Sequence, residues 1–549
     1  MIKVLYLSVL FIPYTIAEDI QQVACDPPKA NEITTLSDKT VVKIDTLKII
    51  TNPIFDETES DTMAVHHFAN WLHINTADGV IKERLPFTVG DKVGADDLAE
   101  AERIIRQQPY IRDAKVFLAP RCQLDDPAEV EIHTWDNWSM IPTVSFGRKG
   151  GNNKFSFGVK DDNLLGMGIR TRFKYNSDEQ RKGYQFTIKL PAPYISHSTV
   201  LLDFLDNDDG QRTQLVFDKP FYHLRSERMY FAAYLRGEKT EEIFQGGLTR
   251  NSFDVISHHY ELATGWLWDS TIDSSSRFKI GVTDEKAAFS ASNILDVNDH
   301  MYLPINRHYR YPWLGFAYLQ RNFKMFSDIY LINQSEDINL GWQYEVKLGL
   351  ELNDLAPGSD LAYHLNLSSS KGYALHEGLL LLSLTGEGTF NTSNPDQYRL
   401  SFKGEYFKRY TPLIGFYTRT HIVTSDQQFL DSPVTLGDQM GVRGYSLQYQ
   451  HGEHSVSVTA EARFYTGYNL YKILDLGFVS FLDAGKAWSG EQAQGNETHS
   501  LIGSIGAGVR LYSNRSSHRS VIHMDLVKPL TSSVYVDSWE WRLQIKQAF

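Results

Sequence analysis

The spacing of apolar positions changes once along this chain. Before residue 140, helical and strand spacings take turns; from Ile141 onward apolar residues recur mainly at every second position. In the first part, Thr40–Ile50 (TVVKIDTLKII) predicts a strand. Thr62–His73 (TMAVHHFANWLH) predicts a helix with Thr62 as N-cap, and Val80–Val89 an extended connection. Ala95–Gln107 predicts a second helix, because Leu98, Ala101 and Ile105 share one face. Asp96, Asp97 and Glu100 lie toward its N-terminus and Arg103 and Arg106 toward its C-terminus, as the helix dipole favours, and Pro109 stops it. Asp113–Leu118 and Glu129–Thr134 alternate as two strands. The order is strand, helix, helix, strand, strand, a small α+β unit over residues 40–140.

Residues 141–549 read as a series of alternating strands. Examples are Lys154–Val159, Lys182–Leu190, Thr199–Phe204, Met229–Arg236, Leu340–Leu350, Tyr398–Tyr406 and Leu413–His421, separated by polar stretches such as Asp206–Gln211. The end of the chain carries the clearest alternation. Trp539, Trp541, Leu543, Ile545 and Phe549 interleave with Glu540, Arg542, Gln544, Lys546 and Ala548. One apolar, aromatic face and one polar face is the pattern of a lipid-facing strand of a transmembrane β-barrel. At roughly 26 residues per strand and connection, the segment holds about 16 antiparallel strands. A soluble β-sandwich would bury alternating faces equally well; a propeller lacks support, since no repeat of about 40 to 50 residues appears.

Composition sharpens this reading. The 549 residues include 13% aromatics and 38 glycines, which excludes a disordered chain. Met1–Lys3 followed by the apolar run Val4–Ile12 and Thr15-Ile16-Ala17 reads as a signal peptide over 1–17, too short to span a bilayer. A polar leader occupies 18–39. The net charge of −13 argues against nucleic-acid binding. Residues 18–140 hold 12 Lys and Arg against 23 Asp and Glu, so most of the negative charge belongs to the N-terminal part. The two cysteines are Cys25 and Cys122. In an exported chain a disulfide between them and two separate thiols are equally open readings.

Several motifs follow in order: Asp162–Gly168 (DNLLGMG), Gly441–Tyr445 (GVRGY), Glu461 within TAEARFY, Phe481–Trp488 (FLDAGKAW), Gly506–Arg510 (GAGVR) and Asp525–Leu530 (DLVKPL). This set, with Phe549 at the terminus, resembles the barrel of the BamA and TamA superfamily. Gly90–Leu118 (GDKVGADDLAEAERIIRQQPYIRDAKVFL) resembles a POTRA module, the periplasmic repeat of outer-membrane insertion and secretion proteins. The resemblance covers about residues 40–549. The family's assembly factors carry several such modules, whereas this chain has room for one.

The resemblance implies a bacterial outer-membrane barrel with its POTRA-like domain in the periplasm. Its partners would be outer-membrane lipids, unfolded or nascent polypeptide clients and periplasmic accessory proteins. In that family the VRGY-type loop folds into the barrel lumen. The matching residues are Val442, Arg443, Gly444 and Tyr445, with Glu461 and Asp483 as acidic partners of the arginine. Trp541, Leu543, Ile545 and Phe549 match the C-terminal strand signal. The implied activity is insertion or translocation of polypeptides. The alternatives are a two-partner-type secretion pore for a dedicated exoprotein and a passive or structural barrel. No HExxH, GxSxG or GxxxxGKS motif occurs, and no enzyme activity, cofactor or metal is expected. His66, His67 and His73, like His258 and His259, read as surface or packed histidines rather than ligands.

Overall fold

The computed structural model describes residues 41–546 apart from 58–62, 121–126, 150–151, 179–180, 193, 293–302, 353–360, 439–440, 518–520, 532 and 534. The first unit contains β1 (Val42–Lys43), β2 (Thr46–Asn52), α1 (Ala64–Leu72), α2 (Asp78–Arg84), β3 (Lys92–Val93), α3 (Ala95–Arg106), β4 (Ile111–Leu118) and β5 (Glu129–Asp136). Its main sheet has the order β2-β5-β4. β2 runs parallel to the central β5, and β4 runs antiparallel to it. The outer edges of β2 and β4 pair with no other strand among the described residues.

Local chemistry accounts for these elements. α3 buries Leu98, Ala101 and Ile105 against Val116, Val130 and Ile132 of the sheet. The Asp97 carboxylate accepts from the Gly94 N–H at 3.0 Å, satisfying a donor at the helix start. In α1 the His66 ring does the same for Met63 N–H at 3.2 Å; the expected cap, Thr62, lies outside the described residues. One expectation fails. Residues 80–89 are not extended throughout, because α2 occupies Asp78–Arg84. Ile81 is fully buried in the core beside Leu85 and Phe87, so packing makes a helix of a stretch too short to show a period.

The remaining strands are β6 (Met140–Lys149), β7 (Asn152–Leu164), β8 (Ile169–Ser177), β9 (Lys182–Pro191), β10 (Thr199–Asn207), β11 (Gly210–Lys219), β12 (Arg228–Gln245), β13 (Leu248–Ser270), β14 (Ser274–Ala291), β15 (Arg307–Gln320), β16 (Phe323–Ser327), β17 (Ser335–Asn339), β18 (Gln343–Leu350), β19 (Tyr363–Leu375), β20 (Gly378–Phe390), β21 (Gln397–Arg409), β22 (Ile414–Asp426), β23 (Val434–Leu436), β24 (Gln450–Gly452), β25 (His454–Leu470), β26 (Leu474–Trp488), β27 (Ile502–Ser513), β28 (Val521–Pro529) and β29 (Glu540–Lys546). All but β16, β17, β23 and β24 form one closed barrel, with β29 beside β6 at the seam.

Among the described residues that barrel has 20 strands, against the expected figure of about 16. The lower figure assumed long connections. Many hairpins instead close with two residues, as at β10–β11, β12–β13 and β19–β20. Asp206–Gln211, expected as a connection, is mostly ladder: Asp206 pairs with Gln211 and Asn207 with Gly210.

Burial is inverted relative to a soluble protein. Phe155, Phe157 and Val159 on β7, Phe478 and Leu482 on β26, and Trp541 and Ile545 on β29 are exposed. Lys160, Asp483, Arg510, Asp525 and Arg542, on the opposite faces, are buried. An apolar exterior around a polar interior suits hydrocarbon, where closure leaves no unpaired edge. No helix among the described residues is long and apolar enough to cross a membrane.

The α+β unit sits at one rim. Ala77 N–H donates to Gly166 O at 3.0 Å in the β7–β8 turn, and Trp138 N–H to Arg515 O at 2.8 Å in the β27–β28 turn. Asp97 pairs with Arg225 in the β11–β12 turn.

Candidate functional site

Two segments fold into the barrel from opposite ends. The upper one, 427–453, joins β22 to β25 and carries the short β23–β24 hairpin. Leu436, Val442, Tyr445 and Tyr449 pack against Ala487 and Ile502 of the wall. The Tyr445 hydroxyl donates to Gly503 O at 2.7 Å. Gly444 has φ +87°, a conformation that favours glycine, and a Cβ there would lie 3.0 Å from Val527 Cγ1.

Arg443 is buried between two wall strands. Its Nε and Nη2 donate to the Asp483 carboxylate at 2.6 and 2.9 Å, and its Nη1 donates to Glu461 Oε1 at 3.1 Å. The guanidinium also lies 3.4 Å from the centroid of the Phe481 ring. Asp483 and Phe481 are on β26 and Glu461 on β25, all facing inward by strand parity. Glu461 Oε2 accepts from Arg463 Nε at 3.0 Å, so two cations meet two carboxylates. The structure therefore brings Arg443, Glu461 and Asp483 together, with Val442, Gly444 and Tyr445 packed around them.

A second balanced quartet lies nearby. Asp438, on the same loop, accepts from Arg542 Nη2 of β29 at 3.0 Å. Arg542 Nη1 reaches Asp525 Oδ2 at 3.3 Å, and Asp525 Oδ1 accepts from Arg510 Nη1 at 2.6 Å. Sequence reasoning quoted Arg510 and Asp525 inside motifs and Arg542 on the terminal strand, but assigned them no role. A signal existed: all three are charges within the segment read as barrel, where burial demands partners. Asp438 and Arg542 are 104 residues apart, so only the fold pairs them.

The lower insert had no forecast. β16 and β17 form a hairpin whose tip, 328–334, enters the lumen. Leu331 and Ile332 pack against Tyr465, Val479 and Phe481. Arg463 Nη1 donates to Ile329 O at 2.9 Å, and Tyr330 OH to Glu405 Oε2 at 3.1 Å. Glu336 gathers the backbone N–H groups of Ile329, Tyr330 and Leu331 at 3.0 to 3.3 Å. Burial nevertheless pushes its carboxyl above the ordinary range. Arg463 thus contacts the lower insert directly at Ile329 O and is linked to the upper one through the wall residue Glu461, which also holds Arg443.

The α+β unit grips the base of this hairpin. Arg106 Nη2 lies 3.0 Å from Asp337 Oδ2, and the Arg103 guanidinium lies 4.4 Å from the centroid of the Phe323 ring. Burial opposes the charge on Arg106, but Asp337 and Glu102 outweigh it and raise the arginine pKa. Between the unit, the hairpin and β7–β8 lies a cavity of about 530 Å³ lined by Arg106, Arg112, Lys160, Arg170 and Glu336.

Of the terminal strand signal, Trp541, Leu543 and Ile545 lie on β29 facing outward, and Phe549 is outside the described residues. Cys25 and Cys122 are also outside them. The N-terminal histidines have three different partners: His66 faces Tyr471 O, His67 faces Glu57 and His73 faces Asp136.

No family profile and no curated protein matches the chain. Among solved structures it is similar to BamA from Haemophilus ducreyi lacking POTRA domains 1–3, at 11% identity, over 91% of this chain and 83% of that one, with TM-score 0.42. It is similar to CdiB from Escherichia coli at 10% identity, over 92% and 76%, with TM-score 0.47. The FrpB iron transporter from Neisseria meningitidis aligns at 8% identity, over 76% and 84%, with TM-score 0.39.

Proposed function

We propose that this chain is an outer-membrane barrel of the BamA and TamA type that inserts or translocates polypeptides, with its α+β unit acting as a single periplasmic POTRA module. The observation that carries this reading is the loop arginine. Arg443 sits inside the barrel, paired with Asp483 and Glu461, in the GVRGY motif that suggested the family. Two further features support it. The outer edge of β2 has no strand partner among the described residues, so an extended client could add there, where backbone hydrogen bonds give sequence tolerance, whereas on β4 the Ala114 and Val116 N–H groups already donate to Asp113 and Glu102. The seam joins β6 to β29, the pair on which lateral opening would act.

Clients would meet the α+β unit first and the seam second. Opening the seam would expose β6 and β29 as templates, and a client strand would satisfy their backbone groups in lipid. The inserts would keep the lumen closed meanwhile. No nucleotide or cofactor enters this scheme.

A secretion pore for a dedicated exoprotein is the second reading. The feature that favours it is size. Barrels of 16 to 18 strands already leave an aqueous channel, and here two inserts occupy the interior of 20 strands. Depletion of the protein, followed by proteomics of outer membrane and culture medium, separates the readings. Broad loss of barrel proteins supports insertion. Loss of one or two secreted proteins with an unchanged membrane supports the pore. No change in either fraction overturns both and leaves a passive barrel.

A further inference from the structure

One helix of the α+β unit turns an apolar face away from the protein. On its inner side, His66 stacks on Phe55 and lies 3.1 Å from Tyr471 O in the β25–β26 turn. Ala69 is buried with Ile54 and Phe55, beside Trp138 and Ile473. The opposite side of α1 carries Phe68, Trp71 and Leu72 at i, i+3 and i+4, which are 53, 78 and 38% exposed. Ile74, just past the helix, is 53% exposed.

The strip continues onto the barrel at both ends. Residues 74–77 reach the β7–β8 turn, where Ala77 N–H donates to Gly166 O and Asn163 Nδ2 donates to Thr76 Oγ1. Leu165 and Met167 of that turn are exposed. At the other end, Tyr468 and Tyr471 are exposed. In the barrel order, the β25–β26 turn and the β7–β8 turn flank the β29–β6 seam. The helix and its extension therefore span the rim beneath the seam, and the outward face of that span is apolar and aromatic.

We infer that this strip is a lipid contact, with α1 lying in the interfacial region of the leaflet that meets this rim. Its neighbours argue for lipid over a protein partner. The strip borders the barrel's apolar exterior, which presents Phe464 and Phe478 on one side of the seam and Val144 and Val159 on the other. A tryptophan four-fifths exposed on a helix fixed at a barrel rim matches the aromatic belts of membrane–water interfaces.

The inference rests on the barrel lying in a bilayer and is independent of what the protein transports. The test uses the full chain with Cys25→Ser and Cys122→Ser, carrying Trp71→Cys labelled with an environment-sensitive fluorophore. The protein is reconstituted in phosphatidylethanolamine/phosphatidylglycerol vesicles. Leu482→Cys on the barrel exterior and Glu83→Cys on the exposed side of α2 are the references. The label at 71 is expected to be quenched by doxyl lipids as the label at 482 is. Its quenching by aqueous iodide should fall about threefold or more below that at 83. Leu72→Cys gives the same readout if the tryptophan variant does not fold. Iodide quenching at 71 and 72 equal to that at 83, with 482 still quenched by lipid, overturns the inference and marks the strip as a protein-docking face. Loss of lipid quenching at 482 as well overturns the membrane reading itself.

Discussion

Replacing Arg443 by alanine tests whether buried ion pairs hold the upper loop in the lumen. Arg443 donates three side-chain hydrogen bonds to Asp483 and Glu461 and stacks on Phe481. Without it, Glu461 keeps Arg463 while the buried Asp483 loses the cation that holds it. Removing one partner of a buried pair costs about 3–5 kcal/mol, because the remaining charge stays desolvated. At 1.4 kcal/mol per factor of ten, about 4 kcal/mol raises the loop-out population roughly 10³-fold. The second quartet and the Tyr445 contacts remain, so the loop stays inserted most of the time. The assay is maleimide labelling of Ser446→Cys, a buried loop position, in the full chain with both native cysteines replaced by serine. The labelling rate should rise by up to that factor. Adding Glu461→Gln restores charge balance and should recover part of the loss. A rate within about twofold of the parent would refute the reasoning; the loop would then be held by its apolar contacts alone.

Other expectations follow from single contacts. Gly508→Ala would place a Cβ 2.0 Å from Asp525 Oδ1 and 2.8 Å from Arg510 Nη1, so it should break that pair and lower the temperature at which the barrel loses its folded gel mobility. Ile105→Ala empties a fully buried site in the α+β core, costing about 2–5 kcal/mol, and limited proteolysis of the full chain should cut the unit first while the barrel resists. Asp337→Ala removes the partner that ties Arg106 to the base of the lower insert; amide exchange at 328–334 should quicken, by no more than about 1 kcal/mol because the pair is partly solvated. At the rim, burial together with Arg84 lowers the His197 pKa to about 4, and burial does the same for His223. Both are depressed relative to the unfolded value, so their contribution is complete above about pH 6.5 and is lost as pH falls toward 4. Amide exchange at 194–198 and 220–227, corrected for intrinsic rate, should therefore be faster at pH 5 than at 7.5. An unchanged ratio would contradict the burial of both rings.

The alternating part of the chain was legible because a barrel strand needs only a two-residue period, which no long-range contact has to supply. The outward direction of Trp541, Leu543 and Ile545 followed from that period alone. α3 was legible for a like reason, since its helically spaced apolar face and its terminal charges are complete within twelve residues. Arg443 was different. Its residue type declared a need for buried partners, but Glu461 and Asp483 came from resemblance, since nothing local distinguishes them from other carboxylates. The strand number belonged to the tertiary structure. It depends on how tightly each hairpin closes and on how far the circumference must extend to seat two inserts. α2 exists because Ile81 has a core to enter, and Asp438 meets Arg542 because the barrel closes. Periodicity is a property of neighbours in sequence and is written there; closure, plugging and charge balance are properties of neighbours in space, and only the folded chain decides them.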